Sequence, residues 1–185
     1  MIAWINFLAY QAVWFAVVIS AARGHAALGL AAAGSFIAVQ LAVSAWRALD
    51  ARLLGAALVA GVAIDGGLAS LGWLRYAAAS PALPPHGAPL WILALWLSFA
   101  LTLTRSLAWL MRRPELGVLL GAVGAPLAYG SAAHGWHAIE FAPPATRGAA
   151  ALALGWGAAM ALFAVLVRRG STAPAAAARV PASRP

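Results

Sequence analysis

The feature that most constrains this chain is the recurrence of long apolar runs joined by short connections, with the arginines falling mainly outside the runs. A helix needs about 17 to 25 mostly apolar residues to cross a bilayer. Runs at or near that length cover Ala3–Ala22, Leu28–Trp46, Leu53–Leu74, Pro89–Met111, Leu116–Ala133 and Ala149–Val167. Backbone polar groups have no water to bond in lipid, so such runs are predicted as helices. The reading is an all-α, polytopic membrane helix bundle with six transmembrane helices over residues 1–169.

Composition agrees. The chain is 64% hydrophobic and 9% charged, with a mean hydropathy of +0.88, whereas a soluble domain is about 25% charged. Its basic residues are all arginine, twelve against four acids. They gather at run ends rather than on one basic face with accessible aromatics, which argues against a nucleic-acid partner. Cysteine is absent, so disulfides and thiolate metal sites are excluded.

The first run is read as a retained helix and not a secretory leader, because it lacks a basic start and Asn6 and Gln11 interrupt it. Connections such as RGHAA, RALDAR, RRPE and FAPPATRG are short, which sets consecutive helices side by side and antiparallel. The longest, RYAAASPALPPHGA, holds three prolines, and Pro89 follows it directly. Residues 170–185 are Ala/Pro-rich and are predicted to be a disordered cytoplasmic tail. Cytoplasmic loops carry the arginine excess. Arg47, Arg52, Arg112, Arg113, Arg168, Arg169, Arg179 and Arg184 fall on the side of both termini, against Arg23, Arg75 and Arg147 opposite. Both termini are therefore expected in the cytoplasm.

Trp46, Trp73, Trp91, Trp109 and Trp136 fall near run ends, where indoles anchor at the interface, while Trp14 and Trp96 are deeper and expected to pack between helices. In GVLLGAVGAPLAYG, the residues Gly117, Gly121 and Ala125 form a stripe of small residues with Gly124 and Ala128 beside it, as in close helix contacts inside a bundle. Pro126 is expected to kink that helix.

Asp65 sits inside the third run, roughly 18 Å from its cytoplasmic end if the helix starts near Leu53. An intramembrane acid costs about 2.5–3.5 kcal/mol on insertion scales, so it needs a partner, a water cavity or a proton. Arg105, in the fourth run, is the candidate partner; the alternative is that Arg105 snorkels to the headgroups. Ser98, Thr102, Arg105 and Ser106 share a face, and Asn6, Tyr10, Gln11 and Gln40 add polar groups on the first two helices. The expected intramembrane polar cluster is Asp65, Arg105, Thr102, Ser98, Ser106, Asn6 and Gln11.

His134, His137 and Glu140 are spaced by threes, one face if helical, and would suit a metal only weakly. A solvated interfacial segment is the preferred reading, with no metal and no cofactor. A nucleophile elbow, a lysine-bearing phosphate loop and His-Glu-x-x-His are all missing, which argues against a standard hydrolase.

The order NFLAYQAVWF, IDGGL, PLWILALWLSFALTLTRSLAWL and GAVGAPLAYGSA resembles the small bacterial inner-membrane proteins grouped as domain of unknown function 2878, over roughly residues 3–167. The resemblance implies a bacterial inner-membrane location and a role linked to membrane fatty-acyl metabolism. It points to Asn6, Gln11, Trp14, Asp65, Trp91, Thr102, Ser106, Trp109 and Pro126.

Three functions stay open. An accessory or assembly component, partnered by the bilayer and by other membrane proteins or lipid-modifying enzymes, predicts a dry, fully paired Asp65 and no cavity. A small transporter or channel subunit predicts a water path past Asp65 as relay. A lipid-modifying enzyme predicts a lateral opening beside polar groups. No inverted repeat is evident, which ranks transport below the other two.

Overall fold

The computed structural model describes residues 2–177, with side chains from 3 to 170. Its helices are α1 (Ile2–Ala22), α2 (Ala26–Ala42), α3 (Arg47–Ser70), α4 (Leu90–Ala100), α5 (Ala108–Met111), α6 (Pro114–Trp136) and α7 (Ala145–Ala177). Short strands β1 (Leu74–Tyr76), β2 (Ala82–Leu83), β3 (Ala88–Pro89) and β4 (Ile139–Phe141) lie together at one end, called the strand end below. The opposite end, with the α2–α3 connection and residues 101–113, is the turn end.

Four stretches are long and apolar enough to cross a membrane: Ala3–Ala22, Arg47–Ser70, Pro114–Trp136 and Ala145–Gly170. Their outward faces are apolar, with Trp4, Val59, Leu127 and Leu154 between 68 and 77% exposed. An apolar skin of this kind marks a surface meant for lipid or protein rather than water. The fold is thus a bundle of helices with membrane-spanning dimensions.

The expected fourth span, Pro89–Met111, is not one helix. After Ala100 the chain winds through turns to Leu107 before the short α5. Here the N–H groups of Thr102, Leu103 and Arg105 bond three residues back, to Phe99, Ala100 and Thr102. The Thr102 hydroxyl also takes the Phe99 carbonyl at 2.7 Å, and Arg105 Nη1 takes that of Leu101 at 3.1 Å. Side chains thus occupy carbonyls that the next helical turn would need. At 17 residues α2 is also shorter than the four long helices. The expected helix limits shift as well, since α3 begins at Arg47 and takes in all of RALDAR.

Two small sheets correct the all-helical expectation. β1 pairs antiparallel with β4, placing Leu74 opposite Phe141, Arg75 opposite Glu140 and Tyr76 opposite Ile139. β2 pairs with β3 in the proline-rich connection. The Arg147 guanidinium covers the Trp73 ring at 4.7 Å beside the first pair. α7 runs past Gly170 to Ala177, into the segment expected to be disordered; residues 178–185 of that tail lie outside the described residues.

Close helix contacts follow the small residues. A Cβ at Gly29 would lie 2.8 Å from the Val17 backbone, so α1 and α2 meet there through glycine alone. Gly117 and Gly121 face Met160, and Gly121 also faces the Trp156 backbone, on α7. This puts the small stripe inside the bundle as expected. α6 remains continuous through Pro126. The core centres on Trp96 of α4, stacked on Trp156 of α7 at 3.8 Å with Phe163 edge-on.

Candidate functional site

Asp65 is fully buried on α3, on the stripe of Leu53, Ala57 and Gly61 that faces α4 and α7. Its Oδ1 accepts the Tyr76 hydroxyl at 2.8 Å and the Tyr129 hydroxyl at 2.6 Å, and its Oδ2 accepts the Trp96 indole N–H at 2.7 Å. One donor comes from β1, one from α6 and one from α4. The three elements are fixed to one carboxyl group by neutral donors. Burial, and then the charge of Asp65, hold the Tyr76 phenol well above its usual range, which keeps it a donor. The indole N–H of Trp156 is buried beside Tyr129 without completing a hydrogen bond among the described residues.

Arg105 does not meet Asp65; it meets Asp50. Its Nη2 lies 3.4 Å from Asp50 Oδ2 and donates to the Gln40 carbonyl at 2.7 Å. Asp50 is fully buried and also accepts the hydroxyls of Ser44 and Thr104. The physical reason lies in the start of α3. Beginning at Arg47 rather than near Leu53 adds roughly 9 Å of helix below Asp65 and places it nearer the strand end of α3 than its middle. The same extension brings Asp50 to the turn end, roughly 22 Å from Asp65 along the axis. Arg105, at the turn end, finds the nearer acid.

The expected single polar cluster is therefore divided. Asn6 Oδ1 accepts the Ser106 hydroxyl at 2.6 Å, while its Nδ2 is buried with no partner among the described residues. Ser98 is fully buried and its Oγ has no partner among the described residues. Thr102, in the turns after α4, is buried and donates to the Phe99 carbonyl at the end of α4, and Gln11 is exposed on α1. Trp91, expected at the interface, is 1% exposed and donates to the Ala78 carbonyl at 3.0 Å. His134, His137 and Glu140 do not share a helix face. α6 ends at Trp136, His137 takes a left-handed turn (φ 56°), and Glu140 sits on β4 across from Arg75 at 3.4 Å.

Between α1, α4 and α6 lies a cavity of about 940 Å³. Its wall includes Tyr10, Gln11 and Trp14 from α1, Trp96 and Thr102 from the α4 side, and Gly124, Ala128 and Tyr129 from α6. Trp136 closes on Trp14 and Phe15 at ring separations of 5.9 and 5.5 Å, joining α1 to α6 near the strand end. Ligand sites are typically about 300–1,000 Å³, apolar, with a few placed polar groups. Asp65 never reaches this space itself. It acts on the wall by fixing Tyr129 and Trp96.

Sequence reasoning missed Asp50, because RALDAR reads as a charged turn. Its signal was present, since Asp50, Leu53, Ala57, Gly61 and Asp65 repeat at helical intervals on one face. It also missed Tyr76 and Tyr129 as partners of Asp65.

No curated protein and no solved structure matches the chain. One family model does, over residues 3–162, and it spans the buried acids and the cavity wall alike. The chain belongs to the family described as Protein of unknown function (DUF2878).

Proposed function

We propose that this protein is a bacterial inner-membrane lipid-binding accessory component, serving fatty-acyl metabolism by holding an acyl chain between α1, α4 and α6. The chain crosses the membrane six times in this reading, with the interrupted α4 region as its fourth crossing and both termini cytoplasmic. The apolar cavity of about 940 Å³ carries the proposal. A pure scaffold has no use for such a space. A relay needs water at its acid, whereas the contacts of Asp65 are to protein donors and the residue is 0% exposed. Chain-shaped apolar ligands fit a wall built mainly from aromatic and aliphatic side chains.

Gly124 offers the test. It lines the cavity, and a Cβ added there meets nothing nearer than Leu120 of its own helix, at 3.7 Å. Gly124→Trp should fill the space without parting the helices. Native mass spectrometry of detergent-purified wild type is expected to show a retained acyl lipid that Gly124→Trp loses while keeping its melting temperature. Equal lipid retention by the folded variant would refute the reading.

A further inference from the structure

A basic connection adjoins one end of the cavity. At the turn end its wall includes Trp109, Leu110 and Leu116, and the connection between them carries Arg112 and Arg113, both exposed. That connection is tight, with Arg112 N–H donating to the Trp109 carbonyl at 3.3 Å and Arg113 N–H to that of Leu110 at 3.0 Å. Both guanidinium groups therefore belong to residues within one turn of the wall. Glu115 follows on α6, leaving the connection net positive. Arg105, also at this end, is engaged by Asp50. The strand end differs, because there Trp14 and Phe15 close against Trp136.

From Leu116 to Ala132, both in the wall, α6 rises roughly 24 Å. Half of a ~30 Å hydrocarbon core is roughly 15 Å. A chain lying along this wall would be more extended than in a fluid leaflet.

We infer that the lipid is anionic, with its head at Arg112 and Arg113 and its tail running toward the aromatic contact of Trp14 and Trp136. This rests on the reading that the cavity takes a lipid chain. The chemistry recognised is a carboxylate or phosphate monoester on a long apolar tail. Guanidinium groups bind both by charge-assisted hydrogen bonds, and interfacial arginines attract anionic lipids.

The test uses delipidated full-length protein in detergent with palmitic acid, hexadecyl phosphate and 1-hexadecanol, read by quenching of the wall tryptophans. At least one anion is expected to bind roughly tenfold tighter than the alcohol, and which one does so identifies the head group. Arg112→Gln with Arg113→Gln should erase the difference and leave the alcohol unchanged, while Arg112→Lys with Arg113→Lys should keep it. Equal binding of all three probes by the wild type, or a preference that survives the Gln pair, overturns the inference. In that case the cavity reading stands, whereas failure of all three probes to bind overturns both.

Discussion

Gly121→Ala and Gly124→Ala make the same chemical change three residues apart on α6, and the structure assigns them opposite outcomes. At Gly121 the new Cβ would lie 2.6 Å from the Trp156 carbonyl oxygen and 2.7 Å from Met160 Cγ. The first is backbone, so α6 and α7 must separate by several tenths of an ångström. Forcing a methyl into packed structure costs about 1–3 kcal/mol. At Gly124 the Cβ makes ordinary contact with Leu120 at 3.7 Å. Both variants gain the same helix preference of alanine over glycine, about 0.5–1 kcal/mol. That gain cancels in the comparison, which leaves a difference of about 1–3 kcal/mol from the clash alone. Unfolding of both variants in one detergent, followed by tryptophan fluorescence, measures it. Equal stability, or a larger loss at Gly124, would refute the assignment of the Gly117–Gly121 face to α7.

Arg105→Ala removes the guanidinium paired with the fully buried Asp50 and leaves it its hydroxyl donors, and is expected to lose about 3 kcal/mol or more in an unfolding titration. Replacing Asp50 and Arg105 together by Leu should recover part of that loss. Asp65→Ala strands the donors of Tyr76, Tyr129 and Trp96, at about 1–3 kcal/mol each. A double-mutant cycle between Asp65 and Arg105 should give a coupling below about 0.5 kcal/mol, as for sites with no shared partners, and a larger coupling would restore the direct pair. Trp136→Ala removes the ring contacts with Trp14 and Phe15. Mass spectrometry of co-purified lipid should then show longer bound chains, and an unchanged chain length would count against that contact as the end of the cavity.

The sequence made the apolar segments and the basic turns between them legible because both depend on local composition. Trp96 and Trp14 were legible as helix-packing residues for the same reason: they fall deep in their runs. What depended on distant segments was not. ALTLTRSLAWL has no proline or glycine to announce a break, and its turns are set by Thr102, by Arg105 and by Asp50 across the bundle. Leu74–Tyr76 is a strand only because Ile139–Phe141 lies beside it. Asp65 was legible as an anomaly, but its partners were not, since a search for a cation overlooks phenol and indole donors. The error over Arg105 grew from a helix start placed a turn and a half too late.

The carboxyl of Asp65 also has a history in the order of synthesis. Its partners lie 11, 31 and 64 residues further along the chain. At roughly 5–20 residues per second, Tyr129 is made about 3 to 13 s after Asp65. During that interval α3 carries an acid whose final surroundings do not yet exist. A chain stopped before Tyr129 therefore presents α3 to the insertion machinery with its acid only partly bonded, and the arrival of α6 completes the third helix as much as it adds a helix of its own.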